Sequence, residues 1–282
     1  MHIPDGFLST PVWAGMDAAA LPAVAYVVRR AQRNFEDARI PLLGVMGAFV
    51  FAAQMINFPV GVGTSSHLVG GALLAFTLGP AAASVVMTAI LAIQALVFQD
   101  GGVLALGTNI FNMAIAGVLA GYLPYHFFGS GPWRRAAIFA GGALSVLVSA
   151  LLAITELMLS KAPMPGAALG LSLAVFAVSA VLEGAITVAV TQSLETIQPN
   201  FIRKPSGQRY AVGALGLAAV LLAGVGVVFA STSPDGIERL TQAQTAAEAT
   251  WLGKAEAGLA GVALIYGACL AIGRVVARHR SA

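Results

Sequence analysis

Asn57–Gly79 reads NFPVGVGTSSHLVGGALLAFTLG, a turn-rich run (Pro59, Gly61, Gly63, Thr64, Ser65, Ser66) followed by a histidine and an apolar segment. About a dozen apolar positions separate His67 from Gly79-Pro80, fewer than the roughly 20 that a full helical crossing takes. His67 therefore stands at the mouth of an apolar segment. Two readings are open for it: a polar residue at a membrane interface, or a metal ligand on rigid backbone beside small residues that let other groups approach. Composition decides what surrounds it. Of 282 residues, 58% are hydrophobic and 10% charged, and mean hydropathy is +0.85. Such a chain cannot cover its surface with polar groups in water. In lipid, an open structure satisfies its backbone hydrogen bonds only as helix. The sequence thus predicts an all-α, polytopic transmembrane helical bundle.

Runs able to cross a bilayer lie near residues 11–28, 41–58, 67–79, 81–98, 104–127, 135–158, 167–194, 211–230 and 256–276. That makes about nine spans, with 67–79 the short one. Seven belong to residues 1–198, residues 199–210 form a cytoplasmic linker, and 211–282 form a two-span module. Short cytoplasmic loops carry the excess of Lys and Arg. With the amino terminus outside and nine crossings, 12 of the 15 basic residues lie inside, leaving Lys161, Arg239 and Lys254 outside. A single crossing by residues 67–98 would invert every later loop and leave 7 inside against 8 outside. The expected topology therefore keeps two passes, or a re-entrant pair, between 67 and 98. The carboxyl terminus is then cytoplasmic, and the chain is a multi-pass protein of the cell (inner) membrane. The net charge of +3 sits in short connections, which marks topology rather than a nucleic-acid surface. The lone Cys269 lies in the last apolar run, which excludes an intramolecular disulfide, and it reads as a packing residue.

Met1-His2-Ile3-Pro4-Asp5-Gly6 has no basic n-region, and no A-x-A-like cleavage site follows the first apolar run, so the amino terminus is expected to be retained. The bulky second residue also disfavours removal of Met1. The free amine, the His2 amide nitrogen and the His2 imidazole can close adjacent five- and six-membered chelate rings. Three coplanar nitrogens suit Cu(II) or Ni(II) and can take Co(II). His67 can supply a fourth nitrogen, because the charge-derived topology puts its loop on the same side as Met1 and His2.

Gln94, Gln99-Asp100-Gly101-Gly102, Asn109 and Asn112 form a polar cluster, read mainly as helix-end capping and interhelical hydrogen bonding. Asp17, Glu156 and Glu183 lie in or near apolar runs, where acids are functional candidates. Glu156 reads as interfacial, and Glu183 as the one suited to a structural or coupling role. Gly117-x-x-x-Gly121 and Gly166-x-x-x-Gly170 are spacings that allow close helix packing. No G-x-x-x-x-G-K-[ST] loop, H-E-x-x-H motif or Ser/His/Asp set on one side is present. Gly253-Lys254 is followed by alanine. The chain is expected to be no enzyme, and uphill movement must draw on a gradient or on partner chains.

MHIPDGFLS at the amino terminus, INFPVGVGTSSHLVGGALLAFTLGP at 56–80 and QALVFQDGGVLALGTNIFNMAIAG at 94–117 resemble the CbiM/NikM family, the substrate-capture subunits of cobalt and nickel energy-coupling-factor transporters. The resemblance covers residues 1 to about 198 and departs at Ser66, where the family usually has glycine. It implies a metal site made of the terminal nitrogen of Met1, the amide and imidazole nitrogens of His2, and His67. It also implies Ni2+ or Co2+ as transported substrate, with no resident cofactor. The implied partners are a CbiQ/NikQ-like transmembrane coupling subunit and two cytoplasmic CbiO/NikO-like ATPases, with no nucleic acid. Ser233-Pro234-Asp235-Gly236-Ile237-Glu238 resembles the opening of a PDGLE-type module often fused behind this family, either a connector or an aid to metal loading. Partial helix is expected between 231 and 255. Loop 29–39 and linker 201–209 are the surfaces expected near the partners. Rival readings are an ion-gradient-coupled carrier using Glu183, working without ATPases, and an intramembrane metal enzyme, which would need an open coordination position.

Overall fold

The computed structural model describes residues 1–34, 40–61, 64–199, 201–202, 209–231, 233, 235–241 and 251–278. Its helices are α1 (Thr10–Asn34), α2 (Ile40–Gln54), α3 (Gly71–Leu78), α4 (Pro80–Ile93), α5 (Leu106–Asn109), α6 (Val118–Phe128), α7 (Arg134–Leu159), α8 (Gly166–Ile197), α9 (Arg209–Gly224), α10 (Gly236–Thr241) and α11 (Trp251–Arg278). Wider π-helical turns continue α4 through Gln94–Phe98 and join α5 to α6 through Ile110–Gly117. The two strands β1 (Phe58–Gly61) and β2 (Thr64–Ser66) pair antiparallel in a small hairpin. The protein is an all-α bundle with that hairpin inserted. Among the described residues, six helices are long and apolar enough to cross a membrane: Thr10–Arg33, Pro80–Phe98, Leu106–Phe128, Arg134–Leu159, Gly166–Ile197 and Leu252–Val275. Ile40–Gln54 and Val212–Gly224 are shorter apolar helices.

α2 runs through the middle of the bundle. Nearly all of its side chains are buried, and glycines let its neighbour approach. A Cβ at Gly44 would stand 2.9 Å from the Tyr266 ring, and one at Gly47 the same distance from Cys269 Sγ. α11 therefore seats directly on α2, and Cys269 is the buried packing residue that its position predicts. Gly117 and Gly121 are likewise closed over by α7, through Ser149, Ser145 and Gly141, whereas Gly166 and Gly170 face open space.

The short apolar run after His67 is neither a full helix nor a loop. Residues 67–70 continue extended into the interior, Gly70 turns through the left-handed region (φ 76°), and α3 then starts and runs for eight residues. Gly79 (φ 82°) breaks the chain, and Pro80 opens α4 at the position where its missing N–H leaves nothing unsatisfied. At Gly70 a side chain would be strained by its backbone angle and would also meet Val50 Cγ1 at 2.6 Å.

Non-helical backbone at this depth requires partners for its polar groups. Glu183, at the middle of α8, accepts from the N–H groups of Val69 (2.8 Å) and Gly70 (2.7 Å). Gln54 Nε2 donates to the Val69 carbonyl (2.7 Å), and Gln94 Nε2 donates to Gln54 Oε1 (2.9 Å). The structural role expected of Glu183 is thereby specified: it ties α8 to the segment that carries His67.

Of the region expected to hold partial helix, α10 and the start of α11 are described, and residues 242–250 lie outside the described residues. Residues 35–39 of the first basic loop and 203–208 of the linker also lie outside them.

Candidate metal centre

The first five residues form an irregular amino-terminal strand, outside any sheet, held against the segment that follows α4. Asn109 grips Ile3 on both backbone groups, its Oδ1 accepting from Ile3 N–H (2.9 Å) and its Nδ2 donating to Ile3 C=O (3.1 Å). Gly102 N–H donates to the same carbonyl (2.9 Å). Asp5 accepts from the N–H groups of Val103 (3.0 Å) and Leu104 (2.8 Å). Asp17 on α1 accepts from Gly107 N–H (2.9 Å). Gly101-Gly102 makes the approach feasible. Gly101 has φ 95°, and a Cβ at Gly102 would fall inside contact distance of Asp5. Five interlocking hydrogen bonds thus fix the register of the strand.

That register delivers the amino terminus to His67. Met1 N lies 2.9 Å from His67 Nε2, and the His2 and His67 rings lie parallel, 5° apart with centroids 5.6 Å apart. His67 Nδ1 is 2.9 Å from the Leu68 carbonyl. A carbonyl only accepts, so Nδ1 carries the hydrogen and Nε2 presents its lone pair. Burial, with the charges of the Met1 ammonium and His2, pulls His67 down to about 4, so it is neutral at neutral pH. Two nitrogens bound at right angles to one metal at about 2.0 Å would be about 2.9 Å apart, matching the Met1–His67 separation.

His2 Nδ1 faces Asp100 Oδ1 at 3.0 Å, and its Nε2 is buried with no hydrogen-bond partner. Metal chelation through Nδ1 would therefore replace the Asp100 contact. Among the described residues, no group of three or more His, Cys, Asp or Glu side chains is spaced to hold a metal. A site at this place draws on main-chain nitrogen.

A carboxylate that sequence reasoning did not single out as a site residue completes the surroundings. Asp235, at the start of α10, lies 2.5 Å from Met1 N and 4.0 Å from His67 Nε2. Burial opposes its charge, but the Met1 ammonium and His67 hold its carboxyl below the usual range. Its only local signal was the Ser-Pro-Asp-Gly run. Asp5 and Gln54 gave as little warning, because they act on backbone groups brought to them by folding. The polar cluster at 94–112 divides: Asp100 and Asn109 touch the amino-terminal strand, whereas Asn112 Nδ2 donates to Glu156 Oε2 (2.6 Å). Glu156 itself is buried within the bundle. A cavity of about 810 Å3 opens beside the two histidines, lined among others by Gln94, Asp100, Asp235, Glu238 and Lys254.

The family described as the cobalt uptake substrate-specific transmembrane region, CbiM, matches residues 2–201. A protein of Haloquadratum walsbyi, provisionally named a metal transport protein, is 41% identical over 205 residues, 72% of this chain and 93% of its own. A relative from Archaeoglobus fulgidus, provisionally named the fused nickel transport protein NikMN, is 36% identical over 224 residues, 78% of this chain and 72% of its own. The crystal structure of a truncated transition metal transporter superposes with TM-score 0.61 at 34% identity, covering 70% of this chain and 99% of that one. With a family match over residues 2–201 and a 41% identical relative covered over 93% of its length, the chain belongs to the CbiM family, the cobalt uptake substrate-specific transmembrane region.

Proposed function

We propose that this chain captures Ni2+ or Co2+ as the substrate-specific membrane subunit of an energy-coupling-factor transporter. The ligands are the Met1 amine, the His2 amide and imidazole nitrogens, and His67. The observation that carries this reading is the Met1 N–His67 Nε2 approach of 2.9 Å, beside a parallel His2 ring, in a buried position. The donors are all nitrogen, which favours late divalent transition metals over Mg2+ or Ca2+. Residues 1–198 form the capture domain with seven passes and 211–282 the two-pass module, joined by the linker at 199–210. The amino terminus lies outside and the carboxyl terminus in the cytoplasm, as the distribution of Lys and Arg supports. Energy comes from a coupling subunit and two ATPases in separate chains, in keeping with the lack of a nucleotide-binding loop in this sequence.

A gradient-coupled carrier working through Glu183 is less well supported, because both Glu183 oxygens accept main-chain N–H groups. The test is stoichiometric Ni2+ and Co2+ binding to purified protein with a native amino terminus, beside a form with one residue added before Met1 and a His67→Ala variant. Loss of tight binding in both supports the ligand set. Full binding by the extended form overturns it.

A further inference from the structure

The contact between Met1 and Asp235 joins the two ends of the chain across 234 positions. Asp100, the other acid at the site, lies within the family match at 2–201 and its side chain is half exposed, whereas Asp235 lies beyond that match and is buried. Its two oxygens do different things. Oδ1 accepts from the N–H groups of Ile237 (2.7 Å) and Glu238 (2.9 Å), capping α10, while Glu238 Oε2 accepts from Asp235 N–H (2.7 Å) in the reciprocal manner of a capping box. Oδ2 is left for the Met1 amine.

The segment carrying Asp235 is itself docked at several points on the capture domain. Ser231 N–H donates to Asn57 C=O (2.6 Å), Ser65 Oγ to Ser233 C=O (2.5 Å) and Ser172 Oγ to Gly236 C=O (2.9 Å). Gly236 lies flat on the Phe176 ring, where a Cβ would come within 2.8 Å. A cap alone does not require a carboxylate to be buried against another chain segment. Nor does a connector require hydrogen bonds to Asn57 ahead of β1, to β2 and to α8.

We propose that Asp235 is a positioning residue for metal capture: through Oδ2 it seats the Met1 amine beside His67 Nε2 before metal arrives, so that the carboxy-terminal module completes the capture site. This inference rests on the proposed Met1, His2 and His67 ligand set. An amine at a chain end rotates freely unless something holds it, and ordering it in advance removes that entropy from the binding step. Asp235 holds it by a charge-assisted hydrogen bond in a buried place, where such a bond is strongest. When metal takes the amine, the carboxylate stays as a nearby negative charge that offsets the incoming cation.

The test uses the full chain in lipid nanodiscs with a native amino terminus. Asp235→Asn keeps an oxygen for the α10 cap, since Asn caps helices as well as Asp, but removes the anion facing Met1. Two measurements are made on wild type, Asp235→Asn, Ser172→Ala and His67→Ala: Ni2+ association rate by stopped flow, and labelling rate of the terminal amine by an acylating reagent without metal. The expected result is that Asp235→Asn slows Ni2+ association about tenfold or more and speeds amine labelling severalfold, with the helical content unchanged by circular dichroism. Ser172→Ala, which leaves Oδ2 in place, changes the labelling rate little. Wild-type association and labelling rates in Asp235→Asn overturn the proposal. If His67→Ala binds Ni2+ like wild type, the ligand set itself is wrong. The metal-free labelling result separates that failure from a failure of the Asp235 contact.

Discussion

Two regions converge on the Met1 amine and are held in opposite ways. The amino-terminal strand is gripped at the backbone of Ile3 by Asn109 and Gly102, and its Asp5 carboxylate takes the N–H groups of Val103 and Leu104. The 231–241 segment is held through scattered contacts to its carbonyls and by the side chain of Asp235. The first grip fixes register and the second fixes place. A register error shifts every downstream group by about 3.5 Å, whereas a lost docking bond only loosens its neighbourhood. The strand should therefore tolerate far less alteration than the loop.

The sharpest way to break this contrast is to add a residue ahead of Met1. The clamp on Ile3 leaves no slack, so Ni2+ affinity should fall by on the order of a hundredfold or more, the loss of a chelate donor. Calorimetry on the extended form would check it, and near-wild-type affinity would mean that the strand slips.

Acidification acts where both regions meet. His67 titrates near 4 here against 6.5 in its ordinary state, so between those values the unfolded chain binds more protons. Stability should therefore decline as pH drops from 6.5 towards 4, by up to about 3 kcal/mol. Asp235, whose carboxyl is held below its ordinary value of 3.8, adds its own loss only at lower pH, beneath that window. Thermal unfolding of metal-free protein across that range measures the effect, and it should be weaker in His67→Ala.

Asn109→Ala removes two buried bonds to Ile3 and leaves a main-chain N–H without its partner, a loss of about 2 kcal/mol that should appear in both melting temperature and metal affinity. On the other region, Ser172→Ala removes one bond to Gly236 and should lower stability by about 1 kcal/mol. Equal effects on affinity from these two substitutions would erase the proposed distinction.

Much of the bundle is legible in sequence, because lipid forces apolar runs into helix and leaves few alternatives. The positions of α1, α2, α4, α7, α8, α9 and α11 follow directly. What periodicity does not reveal is the break at residues 67–70. There Gly70 takes a left-handed backbone angle, and the N–H groups of Val69 and Gly70 are claimed by Glu183, more than a hundred positions away. His67 was visible because an imidazole beside small residues is chemically conspicuous, and Met1-His2 because a chain end can chelate. Asp235 and Gln54 were not, since each acts on main-chain groups or a terminus brought to it only by folding, and Asn109 stood in the polar cluster without a sign of its hold on Ile3. The partner of Glu156, Asn112, was likewise out of reach of sequence reasoning, since it sits on a different helix.

The Met1–Asp235 contact also has a consequence in time. The ribosome makes one partner first and the other 234 residues later, which at about 5–20 residues per second is a delay of roughly 12–47 s. During synthesis the amine waits, already inserted but without the carboxylate that seats it. The proposed binding site therefore reports on completeness, because a nascent chain that stalls before residue 235 carries His2 and His67 yet lacks the group that holds the amine against them.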